Sequence, residues 1–221
     1  MKIDRAGIPF VAAAAIPSLV LAALGLLVAA AALMVLAAAL ALFFRDPERQ
    51  APSGHDLVLA PADGRVMVVG PSEAAAGLAG QWTQVSVFLS PLDVHVNRVP
   101  VAGKVTRVEY RPGRYRAAYR PEATSENERS EIWIDDGSRT VVCRQITGVL
   151  VRRVVCRLKP GDQVRAGDRL GVMKFGSRID LFLPVGTSLR AAVGDRVRGG
   201  ETVIAELPSA AAHEGGRGST R

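Results

Sequence analysis

Residues 6–44 hold 34 apolar residues in 39, broken only by Gly7, Pro9, Pro17, Ser18 and Gly25 and by no charge. A bilayer hydrocarbon core of ~30 Å takes ~20 helical residues. The run is therefore nearly twice too long for one straight span. It is expected to form an N-terminal transmembrane helical anchor over residues 1–45. The anchor is either one span plus an interfacial piece, or a helical hairpin of residues 8–24 and 26–44 broken near Gly25. Lys2 and Arg5 precede the run and Arg45 and Arg49 follow it. Basic flanks at both ends favour a hairpin with both ends in the cytoplasm, which puts the rest of the chain on the cytoplasmic face of the cell membrane. A cleaved signal peptide has a much shorter apolar core. The chain as a whole carries 28 Lys+Arg against 21 Asp+Glu, and most of that charge lies outside the apolar run. This pattern excludes an ordinary soluble protein, a polytopic transporter and a disordered chain.

Arg45-Asp46-Pro47-Glu48-Arg49 and Pro52-Ser53-Gly54 read as a polar linker. It opens a domain spanning 46–208, and residues 209–221 read as a disordered polar tail. Short β-like runs then follow, separated by Gly, Pro and Asp: 65–69, 83–89, 104–110, 131–135, 140–146, 149–158, 179–183 and 202–207. Several alternate apolar and polar residues, as half-buried strands do. Asp136-Gly137 marks a hairpin. The one short stretch with helical periodicity is 72–80. The fold class expected is mainly β. Cys143 and Cys156 lie in strand-like runs and read as two buried, reduced thiols; they have no metal-binding spacing, and three histidines in all argue against zinc. No metal is expected.

A repeat sits near the C-terminus. Gly161-Asp162-Gln163-Val164-Arg165-Ala166-Gly167 recurs 33 residues later as Gly194-Asp195-Arg196-Val197-Arg198-Gly199-Gly200, each copy leading into an apolar strand. Paired turns of this kind resemble the hammerhead of lipoyl- and biotinyl-type domains, so the C-terminal part is expected to be barrel- or sandwich-like. A swinging-arm domain would need an exposed lysine between the copies, and Lys174 is available there.

Gly176-Ser177 precedes the strand-like 179–183. A serine hydroxyl can attack the carbonyl of a preceding, unshielded glycine when a base takes its proton. That chemistry needs a base and an acidic partner elsewhere, and the histidines are few enough to take one by one. His213 lies in the tail and His55 in the linker, which leaves His95, in Asp93-Val94-His95-Val96-Asn97-Arg98, as the one plausible base. Asp63, in Ala60-Pro61-Ala62-Asp63-Gly64, is the acid that stands out, although the same pattern is also an ordinary turn. Arg107, Arg111, Arg114, Arg116 and Arg120 interleave with Tyr110, Tyr115 and Tyr119. On an anchored domain this suits an anionic headgroup or leaflet better than nucleic acid.

Ala60-Pro61-Ala62-Asp63-Gly64, Ser90-Pro91-Leu92-Asp93-Val94-His95, Asn127-Glu128-Arg129 and Phe175-Gly176-Ser177 occur in the order found in phosphatidylserine decarboxylases. Phe43-Phe44-Arg45-Asp46-Pro47 also resembles that family's membrane-proximal segment. From about residue 43 to 207 the chain resembles the family's short bacterial and archaeal branch. The resemblance implies a proenzyme that cuts itself between Gly176 and Ser177. It would leave a β chain, 1–176, bound to a 45-residue α chain, 177–221, capped by a pyruvoyl group made from Ser177. The family's triad maps onto Asp63, His95 and Ser177, with His95 as base and Asp63 orienting its ring. The pyruvoyl carbonyl would form a Schiff base with the serine headgroup of a membrane phospholipid and release an ethanolamine phospholipid. Longer members commonly carry a second histidine where this chain has Arg98, which leaves the later proton donor open. Arg98, Arg114 and Arg116 are candidates for substrate contact. A homo-oligomer is compatible with all of this. The near alternative is another serine phospholipid such as archaetidylserine. A more distant one is a non-catalytic membrane adaptor on a lipoyl-like hairpin, which would not need Ser177. Soluble pyruvoyl amino-acid decarboxylases fit the apolar segment poorly.

Overall fold

The computed structural model describes residues 2–73, 80–120, 122–149, 154–173 and 177–209. In chain order the elements are β1 (Lys2–Ile3), α1 (Ile8–Ala23), α2 (Leu27–Phe43), β2 (Arg45–Asp46), β3 (Leu57–Leu59), β4 (Gly64–Glu73), β5 (Gln81–Leu89), β6 (Val96–Arg98), β7 (Gly103–Arg111), α3 (Ala123–Glu126), β8 (Arg129–Asp135), β9 (Thr140–Ile146), β10 (Val154–Cys156), β11 (Gln163–Val164), β12 (Arg169–Met173), β13 (Ser177–Leu183), β14 (Ser188–Leu189), β15 (Arg196–Val197) and β16 (Val203–Glu206).

The apolar segment forms a hairpin. α1 packs on α2, and Gly25 at φ +76° supplies the left-handed turn between them. Small residues line the seam: Ala14 and Ser18 on one helix and Ala30 and Ala37 on the other are buried, and Ser18 Oγ donates to Ala30 O at 2.7 Å. Small side chains let the two backbones approach closely. The outward faces are apolar and exposed, with Leu19, Leu27, Val28 and Val35 all more than 60% accessible. The expected transmembrane helix is not found. α1 has 16 residues and α2 has 17, about 24–26 Å at ~1.5 Å per residue against ~30 Å of hydrocarbon. Among the described residues no helix is long and apolar enough to cross a membrane.

The segment expected as a linker is fastened down. β1 and β2 pair antiparallel across the base of the hairpin, and Asp4 accepts from Arg157. Asp46 is buried between Arg98 (2.6 Å) and Arg169 (2.5 Å). Arg49, 9% exposed, bonds Asp63 and Glu201. Phe43 and Phe44 pack with Val94, Val96 and Val172, so the hairpin base shares a small core with the strand that follows His95.

The rest is mainly β. An eight-stranded antiparallel sheet, ordered β11-β7-β8-β9-β13-β5-β4-β15, curls into a half-barrel. It stays open, with β11 and β15 as its edges, and so agrees in part with the barrel-like form expected. One face carries the main core, including Val85, Val87, Ile132, Cys143, Ile179 and Leu181. Alternation along the strands predicts a wet opposite face, but curling buries much of that face too. Glu131, Arg144 and Asp180 are fully buried, joined by the pairs Arg129–Glu131, Arg144–Glu131 and Arg178–Asp180. The charges are kept because each meets an opposite one.

The Gly-Asp repeat does one structural job twice. Gly161 and Gly194 adopt φ +100° and +98°. Asp162 and Asp195 cap the turns by accepting from Lys159 N and Ala192 N, both at 2.8 Å. β11 then pairs with the start of β7 and β15 with the start of β4. The copies therefore close the two edges of the sheet, positions that would otherwise offer unpaired backbone. The repeat extends to the strands that receive it. Ala60-Pro61-Ala62-Asp63-Gly64-Arg65-Val66 matches Val99-Pro100-Val101-Ala102-Gly103-Lys104-Val105, and Leu59 N donates to Pro100 O while Arg98 N donates to Pro61 O. Residues 72 and 73, expected to begin a helical stretch, end β4 instead. Residues 74–79, Lys174, Gly176 of the expected cleavage site and tail residues 210–221 lie outside the described residues.

Candidate active site

Ser177 opens β13. It pairs with Leu89 at the end of β5, just before the Ser90–Asp93 turn. Asp93 Oδ2 accepts from Ser90 N and closes that turn. His95 follows it, and its backbone oxygen accepts from Met173 N at the end of β12. β12 runs toward Ser177, so the topology brings His95 and Ser177 to neighbouring strand ends although 82 positions separate them in sequence.

Both side chains are fully buried. The imidazole stacks on Phe43, with ring centroids 4.1 Å apart. Its Nδ1 lies 2.9 Å from Asp93 O. A carbonyl accepts only, so Nδ1 carries the proton and Nε2 keeps its lone pair. Burial pushes the His95 pKa down to about 4, against an upward pull from the Asp93 carbonyl and carboxylate, with Arg45 adding to the depression. His95 is thus a neutral imidazole at neutral pH with its basic nitrogen free. Among the described residues, neither His95 Nε2 nor Ser177 Oγ has a hydrogen-bond partner. They are not bonded to each other. Two orphaned polar atoms in a buried site are unusual, because each forfeits its hydration.

Asp63 does not orient His95 as expected. Its carboxylate is held by Arg49 Nη2 at 2.8 and 2.9 Å and by Gly199 N at 2.8 Å, and the Asp93 carbonyl already occupies the Nδ1 position. Arg98 is also redirected. It is 6% exposed, and its guanidinium donates to Asp46, Pro47 O and Gly167 O, so it ties the hairpin base to the domain and is not presented to a substrate. Arg114 and Arg116 sit on the loop after β7, ion-paired with Glu126, with Arg114 largely exposed. Asn127-Glu128-Arg129 anchors this loop. Asn127 bonds Arg116 N, Arg116 O and Thr147 O, Glu128 accepts from Tyr115 Oη at 2.7 Å, and Arg129 donates to Ser125 O. His55 is exposed beside Asp56. Cys143 is a core thiol whose pKa burial drives up, and Cys156 is half-buried; both are free. No group of three metal-ligating side chains occurs among the described residues.

Two more buried polar side chains lie on the strands that flank this site. Gln145 Nε2 donates to Asn97 Oδ1 at 2.7 Å, and both residues are fully buried. A cavity of about 370 Å³ borders the Ser90–Asp93 turn on the outer side and includes Arg65, Phe88 and Arg196 in its lining.

A family model described as phosphatidylserine decarboxylase matches residues 36–205. The chain belongs to the phosphatidylserine decarboxylase family. Relatives named phosphatidylserine decarboxylase proenzyme match over most of their own lengths. The one from Pelodictyon phaeoclathratiforme is 47% identical over 164 residues, 74% of this chain and 76% of the relative. That from Desulfotalea psychrophila is 36% identical over 94% of this chain and 97% of the relative. That from Anaplasma phagocytophilum is 42% identical over 94% and 92%. The two matches that cover 94% of this chain extend into the hairpin as well as the half-barrel.

Proposed function

We propose that this chain is a self-processing proenzyme that cuts itself between Gly176 and Ser177 and then decarboxylates phosphatidylserine to phosphatidylethanolamine. The observation that carries the reading is the pair of orphaned, buried atoms, Ser177 Oγ and His95 Nε2, at adjoining strand ends in a member of this family. His95 Nε2 takes the hydroxyl proton, and Oγ bonds to the carbonyl carbon joined to the Ser177 nitrogen. The carbon–nitrogen bond breaks, and the imidazolium returns a proton to that nitrogen. Phe43 and the Asp93 carbonyl hold the ring in the required tautomer, and burial keeps water from hydrolysing the resulting ester early. Asp63, with Arg49 and Gly199, fixes the β3–β4 turn beside this site.

A pyruvoyl group fits at Ser177, because the residue is the first of its strand, enclosed, and has no competing partner for its side chain. Once formed, the group supplies an electron-withdrawing carbonyl for decarboxylation of an amine substrate. Arg65 and Arg196, lining the cavity at the Ser90–Asp93 turn, and Arg114 and Arg116 on the adjoining loop are assigned to the lipid phosphate, which arginine binds in a two-pronged manner.

The hairpin is read as a cytoplasmic-side anchor that enters the bilayer without crossing it. Its exposed apolar faces and the basic residues Lys2, Arg5 and Arg45 at its base support this. The pseudo-symmetric Gly-Asp turns support a lipoyl-like hammerhead for the C-terminal part.

Intact mass spectrometry tests the reading. The expected result is two chains split after Gly176, the smaller lighter by one ammonia than a hydrolysed fragment beginning at Ser177, and a single inactive chain for Ser177→Ala. A wild-type chain that keeps full mass under conditions that mature its relatives refutes it.

A further inference from the structure

Four buried polar atoms near the strand ends lack partners among the described residues: Ser177 Oγ, His95 Nε2, Asn97 Nδ2 and Gln145 Oε1. The self-processing chemistry above uses the first two. The others belong to the Asn97–Gln145 amide pair, which is joined by a single 2.7 Å bond. Gln145 stands directly opposite Ile179 in the β9–β13 register, and Ile179 lies two residues after Ser177 on the same face of β13. The Gln145 side chain therefore projects from the face on which Ser177 lies, one diagonal step away. Asn97, two residues after His95, pairs with Gly171 in β12, the strand that runs toward Ser177. One N–H of Gln145 and the C=O of Asn97 are used on each other, which leaves the whole NH2 group of Asn97 and the C=O of Gln145 unused.

A buried amide pair that serves only packing would have its remaining N–H and C=O bonded to neighbouring backbone, as Asn127 does with three contacts. The unused groups point instead to a partner that exists only during reaction. We propose that the Asn97–Gln145 pair is the polar cradle of the self-cleavage step. Its free N–H donates to the oxygen that becomes negative as Ser177 Oγ adds to the scissile carbonyl. Its free C=O accepts from the nitrogen of Ser177 as that nitrogen is released. The step is an isomerisation of amide to ester. One carbon–oxygen bond forms, one carbon–nitrogen bond breaks, and the proton passes from Oγ through His95 to nitrogen, with no redox partner and no water consumed. This role rests on the self-cleavage reading.

The test is a time course of chain cleavage, by intact mass, in Asn97→Leu/Gln145→Met. Replacing both partners of a hydrogen bond with apolar groups of similar shape is close to neutral for folding. The melting temperature is therefore expected to stay near that of wild type while cleavage slows by about a hundredfold, the usual loss on removing one oxyanion donor. The pH at which cleavage falls off in acid is expected to be unchanged, because the base itself is untouched. Should that variant not fold, Asn97→Asp keeps the shape and removes the donor, and the same slowing of cleavage is expected. A folded variant that cleaves within about twofold of wild type overturns the proposal. So does normal cleavage with a raised KM, which would assign the pair to substrate. If wild type itself never cuts at Gly176-Ser177, the underlying reading falls; if wild type cuts and the variants keep pace, only the cradle falls.

Discussion

His95 makes a measurable commitment about acid. In the folded chain its pKa is held down to about 4, whereas an unfolded histidine titrates near 6.5. Between those values the unfolded chain binds a proton that the folded chain refuses, so stability must fall as pH falls from about 6.5, levelling off below about 4. At ~1.4 kcal/mol per pKa unit the full loss is about 3 kcal/mol, and roughly 2.5 kcal/mol of it is spent by pH 4.5. Other groups titrate over the same range, so the comparison has to isolate this one. Ser177→Ala keeps the chain in one piece, and Ser177→Ala/His95→Phe removes the imidazole while keeping a ring against Phe43. Urea unfolding of both at pH 7.5 and pH 4.5 is expected to give a loss larger by about 2–3 kcal/mol in the protein that retains His95. The same depression predicts the acid limb of wild-type self-cleavage near pH 4, well below the usual histidine value. Parallel stability profiles for the two variants, or a cleavage limb near pH 6.5, would refute the view that His95 is a buried neutral base.

Other expectations follow from single contacts. Asp46→Asn leaves the buried Arg98 without its counter-charge and is expected to destabilise the protein by about 3–5 kcal/mol in urea unfolding. Gly171→Ala places a Cβ about 2.0 Å from the Val155 carbonyl oxygen. Since that obstacle is backbone, β10 should part from β12, and both the unfolding midpoint and the rate of chain cleavage should drop. Liposome flotation is expected to recover the full chain with anionic vesicles, and Leu27→Glu/Val28→Glu, at the tip of the exposed apolar hairpin, is expected to release it without changing chain cleavage.

The sequence was most readable where strands alternate and turns carry glycine. The long strands β4, β5, β7, β8, β9 and β13 all fall on runs with that pattern, and the hairpin breaks at Gly25 as its left-handed residue requires. β6 and β12 escaped because three to five residues hold too little periodicity to separate a strand from a loop. Half of the internal repeat is visible because Gly-Asp-x-Val-x-x-Gly is a strong string; the other half keeps Pro, Gly and Val only at scattered places. That half isolates Asp63, whose equivalent in the second copy is Ala102. A carboxylate present in one copy alone serves something other than the common turn, and here it receives Arg49. Asn97, Arg144 and Gln145 could not be read as interior. Arg144 faces away from the main core and is buried by the curl of the sheet, Gln145 is a polar residue in phase with the core residues Val141 and Cys143, and Asn97 sits on the short β6 of a separate sheet.

The hairpin and the site are one mechanical unit, and this bears on how a lipid would be handled. Phe43, the last residue of α2, stacks on the His95 ring. Asp46, three residues on, clamps Arg98 and Arg169 on either side of the β6–β12 pair that carries His95 toward Ser177. With no free linker, the site cannot swing away from whatever surface the hairpin occupies. A lipid headgroup would therefore be met at a fixed height, and the exposed Leu92, whose carbonyl receives Arg45, lies where that surface would touch the turn ahead of His95. The same rigidity suits self-cleavage. A base with a pKa near 4 is a poor match for neutral pH and gives a slow reaction, but cleavage is needed only once per molecule. On the proposed role of His95, the burial that weakens it as a base would also exclude water and keep the ester from hydrolysing to an inert serine end. The arrangement trades speed in a single event for a correctly formed product.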